Sequence, residues 1–133
     1  MPHTNQGVFQ KLINDYSNLE SQYYDCKNKY FYNDEWTGGC DEFFTGFAYE
    51  ADYIYQKANK LIGDINGMLI STTLEIPSKT ERYSNMVNAC QEIIRDLKYR
   101  FNNTLSLIEM SGGYLTDVEK RTVEKLSIYS AWY

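Results

Sequence analysis

Three segments of the chain carry apolar residues at spacings that alternate between three and four. The first series is Phe9, Leu12, Tyr16, Leu19, Tyr23, Cys26 and Tyr30. The second is Phe44, Phe47, Ala51, Ile54, Ala58, Leu61, Ile65 and Met68, and the third is Val87, Cys90, Ile94, Leu97, Phe101, Thr104 and Ile108. This alternation places each series on one face of an α-helix. The sequence therefore predicts three long amphipathic helices.

The residues between these segments are of the kinds that end helices. Proline occurs only at Pro2 and Pro77, so the long segments are free to be helical. The pairs Gly38-Gly39 and Gly112-Gly113 predict two of the connections, because glycine readily leaves the helical conformation. Pro77 predicts the third connection, since proline cannot continue a helix.

Two pairs of residues have the spacing of a capping box, in which the side chains at a helix start bond each other's backbone. Ser78 with Glu81 predicts the start of the third helix, and Thr116 with Glu119 predicts a short fourth helix. We predict an all-α fold, an antiparallel bundle of three long helices and one short C-terminal helix within a single domain of residues 1–133. The expected helices lie near residues 5–31, 41–73, 79–111 and 116–131.

The residues that usually carry catalysis or metal binding are scarce. His3 is the only histidine, so Ser-His-Asp and Cys-His catalysis and the Glu-x-x-His pairs of di-iron bundles have no basis here. The three cysteines are widely spaced, which is not the pattern of a disulfide framework. Cys26 and Cys90 fall in the apolar series and are expected in the core. We therefore expect no enzymatic activity, no metal and no cofactor.

The net charge of −5 lies in the first half of the chain. Residues 1–66 hold ten acids and five lysines, whereas residues 67–133 hold eight residues of each sign. Direct nucleic-acid binding is not expected, because phosphate contacts need clustered basic residues. Neither a signal segment nor a membrane span is evident, so a cytoplasmic location is the expectation. We interpret Arg95, Lys98 and Arg100, which alternate with acids, mainly as a solvated face.

The most distinctive segment lies between Lys29 and Lys57, where six carboxylates occur with no basic residue among them. Aromatic residues are frequent in the same segment, and exposed aromatics are enriched in binding surfaces. Asp41 and Glu42 have a second interpretation, since carboxylates favour the positive end of a helix dipole. The candidate partner-binding residues are Tyr32, Asp34, Glu35, Trp36, Asp41, Glu42, Tyr49, Glu50, Asp52 and Tyr53.

These features predict a non-enzymatic protein-binding module that docks on a basic surface of a partner protein, which could be a nucleic-acid-binding enzyme. Small acidic inhibitors of the immunity-protein type or the phage anti-defence type have this profile, although no motif identifies a family. One alternative is a bundle that binds a small molecule or nucleotide, which predicts a Tyr- or Trp-lined pocket containing Arg95, Arg100 or Arg121. Another is a self-assembling structural protein, in which the heptads continue across a homodimer interface. In the simplest case, the acids only solvate the surface.

Overall fold

A computed structural model describes residues 4–37, 41–72, 77–110 and 116–132, and it has the predicted all-α architecture. Three long helices pack against each other, and short helices follow at the C-terminal end. In chain order the elements are α1 (Thr4–Tyr30), β1 (Phe31–Tyr32), β2 (Glu35–Trp36), α2 (Asp41–Thr72), α3 (Pro77–Met110), α4 (Asp117–Glu124) and α5 (Ser127–Trp132). No helix within these ranges is both long enough and apolar enough to cross a membrane.

The predicted apolar series form the core of the bundle. Their buried members are Leu12, Leu19, Tyr23, Cys26, Tyr30, Phe44, Phe47, Ala51, Ile54, Ala58, Leu61, Ile65, Val87, Cys90, Leu97, Phe101, Thr104 and Ile108. Phe9, Tyr16, Met68 and Ile94 are partly buried at the edge of this core. The alternating spacing therefore identified the inward face of every long helix, because burial on a helix repeats every three to four residues.

Helix α2 is the central element, since it packs directly against both α1 and α3. The small side chains of Ala48, Ala51 and Ala58 are fully buried on it and allow both neighbours to approach closely. Helices α1 and α3 run parallel to each other and meet through longer side chains. The rings of Phe9 and Tyr83 stack there with centroids 5.7 Å apart.

At Gly46 the side chain of Tyr30, from α1, approaches α2 closely. A Cβ atom at this position would lie 2.9 Å from the hydroxyl oxygen of Tyr30. The ring of Tyr30 is itself held by stacking on Trp36, with centroids 5.8 Å apart and planes inclined by 6°. A side chain at position 46 would therefore require Tyr30 to shift from its packed position.

The first connection differs from the prediction, because a short hairpin precedes the Gly-Gly pair. Strands β1 and β2 pair in antiparallel fashion, with Phe31 opposite Trp36 and Tyr32 opposite Glu35. Asn33 and Asp34 form the turn with φ angles of 50° and 63°. Two successive positive φ values fit a type I′ turn, whose twist matches that of paired strands and which Asn and Asp tolerate well. Residues Gly38-Gly39 lie outside the described part of the chain.

The two predicted capping boxes have different outcomes. Helix α3 begins at Pro77, where the ring's fixed φ suits the first helical position, so Ser78 lies inside the helix and is not its N-cap. The box at the start of α4 is confirmed: the backbone N–H of Glu119 donates to Thr116 Oγ1 at 3.2 Å, and the N–H of Thr116 donates to Glu119 Oε1 at 3.1 Å. The Gly112-Gly113 pair lies outside the described residues.

The predicted fourth helix is divided into α4 and α5 between Glu124 and Ser127. A carboxylate of α2 accounts for the new start, because Asp52 Oδ1 accepts a hydrogen bond of 3.0 Å from the backbone N–H of Ile128. This is the role of an N-cap acceptor, here supplied from 76 residues away. Trp132 then closes the core, with its ring 5.7 Å from that of Phe101.

Candidate protein-binding surface

The hairpin divides its four strand residues between an inner and an outer face. Side chains on paired strands point alternately to opposite faces, so the Phe31–Trp36 pair and the Tyr32–Glu35 pair face opposite ways. Phe31 is buried in the core, whereas Tyr32 is 72% exposed and Glu35 is also exposed. The outer face therefore presents one aromatic ring beside one carboxylate, which are two of the predicted partner-binding residues.

Trp36, another predicted partner contact, belongs largely to the aromatic cluster under the hairpin. Its ring stacks on Tyr30 and meets Phe31, Phe44 and Phe47 edge to face at centroid distances of 5.5 Å, 6.2 Å and 5.8 Å. Contacts of this kind stabilise a core beyond the area they bury. Trp36 is only partly exposed, so its main role is to attach the hairpin to the bundle.

A buried arginine of α3 holds the turn of the hairpin in place. The side chain of Arg100 is 8% exposed, and its Nη2 atom donates to Asp34 Oδ1 at 2.8 Å. Its Nε atom donates to Asp96 Oδ2 at 2.7 Å, and its guanidinium carbon lies 4.7 Å from the centroid of the Phe31 ring. The hydroxyl of Tyr23, on α1, donates to the same Asp96 carboxylate. Arg100 therefore links α1, α3 and the hairpin.

These contacts change the acidity of the groups involved. The Arg100 guanidinium, through a hydrogen bond and its charge, holds the pKa of Asp34 below its usual value. Burial, together with the hydrogen bond to the Asp96 carboxylate, raises the pKa of Tyr23. Asp34 is consequently ionised at neutral pH, and its side chain remains 77% exposed. It can still attract a basic group of a partner with the part of its carboxylate that faces solvent.

Asp52 was predicted to contact a partner, but its side chain lies inside the protein. Its residue is only 7% exposed, and both carboxylate oxygens accept internal hydrogen bonds. Oδ1 accepts from the backbone of Ile128, and Oδ2 accepts from Gln56 Nε2 at 2.7 Å. Its position in an acidic segment had suggested a surface role, whereas the bonds show that it joins α2 to α5.

Glu50 also faces a neighbouring helix. It is half-buried, and its Oε1 atom lies 3.6 Å from Lys29 Nζ on α1. Burial and the nearby Glu50 carboxylate raise the pKa of Tyr30. Glu50 therefore lies at the interface between α1 and α2, and it is not part of the outer face of the hairpin.

The remaining candidates lie on α2. Tyr49 and Tyr53 are one helical turn apart and about half exposed, with Lys57 Nζ 5.3 Å from the centroid of the Tyr53 ring. Tyr53 also lines a groove between α1 and α2. Asp41 and Glu42 open α2, but their side chains lie outside the described part of the structure.

No family model, curated protein or solved structure matches this chain. The candidate surface therefore rests on its own geometry: Tyr32, Asp34 and Glu35, held by Arg100 and Trp36. We call these three residues the hairpin surface. Within the described ranges, no group of three or more His, Cys, Asp or Glu side chains is arranged to hold a metal ion.

The predicted pocket for a small ligand is present only in part. A groove between α1 and α2 is lined by Tyr53, as an aromatic-lined pocket requires, but its cationic residues are lysines. Arg100 instead faces the hairpin, and Arg95 pairs with Glu92 on the surface. The structural role of Arg100 was not predicted from the sequence. The available signal was its spacing, three residues after Leu97 and four before Thr104, which places it beside the buried face of α3.

Proposed function

We propose that this protein is a non-enzymatic binding module that docks on a basic surface of a partner protein through the hairpin surface. The observation that best supports this proposal is the outward-facing pair of Tyr32 and Glu35. It lies next to Asp34, in a turn that Arg100 holds against α3. A loop that is already held in one conformation loses little conformational entropy when it binds, so more of the contact energy appears as affinity.

Charge and aromatic character have separate roles in this proposal. Asp34 and Glu35 attract a basic surface and speed the encounter, while the ring of Tyr32 packs against the partner and slows release. Arg100 offsets part of the charge of Asp34, so the exposed carboxylate of Glu35 contributes strongly to this attraction. An inhibitor of the immunity or anti-defence type, acting in the cytosol on a protein such as a nucleic-acid-binding enzyme, fits this chemistry.

The test compares two double variants of matched composition in affinity capture from host lysate with mass spectrometry. Tyr32→Ser/Glu35→Gln removes the outer face of the hairpin and leaves Asp34 to hold Arg100. Tyr99→Ser/Glu124→Gln removes an aromatic ring that is 67% exposed and one exposed carboxylate elsewhere on the surface. We expect basic proteins to be captured by the wild type and the control variant and lost from the hairpin variant.

Salt provides an independent arm of this experiment. Attraction between exposed charges is screened when ionic strength rises from about 0.05 M to about 0.5 M. We expect capture to weaken over this range. Equal capture by the two double variants, or capture that is insensitive to salt, would refute docking through the hairpin surface.

A further inference from the structure

A groove runs between α1 and α2, away from the hairpin turn and independent of it. Its volume is about 240 Å³, and the buried side chains of Leu19 and Leu61 contribute to its lining. The polar lining residues are Lys11, Asp15, Asn18, Gln22, Tyr53, Lys57, Lys60 and Asp64. The groove therefore places charged and hydrogen-bonding groups from both helices around a small apolar floor.

Lysines converge at this groove although the surrounding half of the chain is acidic. Residues 1–66 contain five lysines, and three of them line the groove. Lys11 Nζ lies 3.1 Å from Asp15 Oδ2, and Lys60 Nζ lies 2.8 Å from Asp64 Oδ2. All four of these side chains are substantially exposed, so the ion pairs are weak and a ligand can compete for the lysines.

Lys57 differs from the other two lysines. Its ammonium lies over the face of the Tyr53 ring, 5.3 Å from the centroid, and no carboxylate among the described residues pairs with it. With two carboxylates against three lysines, the lining has a charge of +1 in a protein of charge −5. The groove thus offers one uncompensated cation beside an exposed aromatic face, on a surface that otherwise repels anions.

The opposite wall provides hydrogen bonds. Asn18 and Gln22 are four residues apart on α1, so their amide groups lie on the same side of the helix and line the same groove. Each amide offers both a donor and an acceptor. These amide groups can therefore pair with the edge of a heterocyclic base, which also carries donors and acceptors. The face of the same base can stack on the ring of Tyr53.

We propose that this groove binds a nucleoside monophosphate. The phosphate meets Lys57 and Lys60, the base lies against Tyr53, and the amides of Asn18 and Gln22 bond to the base edge. The groove is open to solvent, so its volume of about 240 Å³ holds part of such a ligand and does not enclose all of it. Asp15 and Asp64 restrict its charge, since a triphosphate would place further negative charges beside their carboxylates.

The test uses AMP as the probe in isothermal titration calorimetry, with adenosine and inorganic phosphate as comparators. We expect AMP to bind saturably, and more tightly than either comparator. Lys57→Gln should weaken AMP binding by about tenfold, because it removes a charge-assisted bond to the phosphate. Tyr53→Leu should weaken AMP and adenosine alike, while Lys98→Gln, a change at an exposed lysine of α3, should leave binding unchanged.

Amide chemical shifts in the NMR spectrum then locate the site, with the largest changes expected at Asn18, Gln22 and Lys57. The inference is overturned if AMP shows no saturable binding, or if inorganic phosphate binds as tightly as AMP. It is also overturned if Lys57→Gln and Lys98→Gln behave alike. Each of these lysine side chains is exposed, so melting curves should show that both variants fold as the wild type does.

Discussion

Arg100 shows how a single residue can serve several elements. Its guanidinium bonds the carboxylates of Asp34 and Asp96 and lies over the ring of Phe31. The sequence could not predict this arrangement, because Asp34 is 66 residues away and nothing local indicates that the two meet. A charged residue without a visible partner is most often a surface residue, and that expectation was wrong here.

Arg100→Leu should destabilise the protein by about 2 kcal/mol, because it leaves the carboxylates of Asp96 and Asp34 without their guanidinium partner. The free energy of unfolding in urea measures this loss. The matched control is Arg95→Leu, five residues earlier on the exposed side of the same helix, for which we expect a change within about 0.5 kcal/mol. Equal effects of the two substitutions would contradict the role assigned to Arg100.

At the scale of the elements, the long helices and the start of α4 were predictable, whereas the two strands and the break before α5 were not. A stripe of seven or eight apolar positions repeats often enough to define a helix, whereas strands of two residues are too short to show any alternation. The turn at Asn33 and Asp34 was hidden by the stronger break signal of the glycines that follow. The start of α5 depends on Asp52, which belongs to a different helix, so no local pattern could locate it.

Replacing two glycines of α2 by alanine should change the stability of the protein in opposite directions. Gly46→Ala should destabilise the protein by about 1 kcal/mol or more, since the added Cβ would lie 2.9 Å from a Tyr30 hydroxyl whose ring is packed in place. Gly63→Ala should stabilise it by about 0.5–1 kcal/mol, because nothing lies within 4 Å of its Cβ and alanine favours the helix. Thermal unfolding of the two variants would show this contrast, and shifts in the same direction would disprove it.

The connection between α2 and α5 can be tested by Asp52→Ala. This change removes the acceptor for the Ile128 N–H and should cost about 2 kcal/mol, the upper part of the range for lost helix caps. Amide hydrogen exchange should increase in α5 more than in α1. Asp64→Ala, on an exposed turn of α2, serves as the control and should leave exchange in α5 as it is.

At the scale of the whole molecule, the buried core determines the response to pH. Burial raises the pKa of Cys90 from 9.0 to about 11 and that of Cys26 from 9.0 to about 12. Burial and the neighbouring Glu20 raise that of Tyr16 from 10.0 to about 12. For each group the folded state prefers the protonated form. Its contribution to stability is therefore complete below the unfolded pKa and is lost as the pH rises through the folded value.

We accordingly expect the free energy of unfolding to fall steadily between about pH 9 and pH 12. Urea unfolding at a series of alkaline pH values would measure the slope. Cys90→Ala should reduce that slope, because the variant no longer has a buried thiol that must stay protonated. A slope that is identical in the wild type and the variant would contradict the assignment.

The bond between Asp52 and Ile128 also has a consequence for the order in which the fold is completed during synthesis. A ribosome makes α1, the hairpin and α2 first, and these elements already contain most of the aromatic core. Until residue 128 has emerged, however, Asp52 Oδ1 lacks the backbone donor that it meets in the finished protein. The ring of Trp132, which contacts both Tyr55 and Phe101, arrives later still. Helix α5 therefore completes the packing of α2 and α3, which are both synthesised before it.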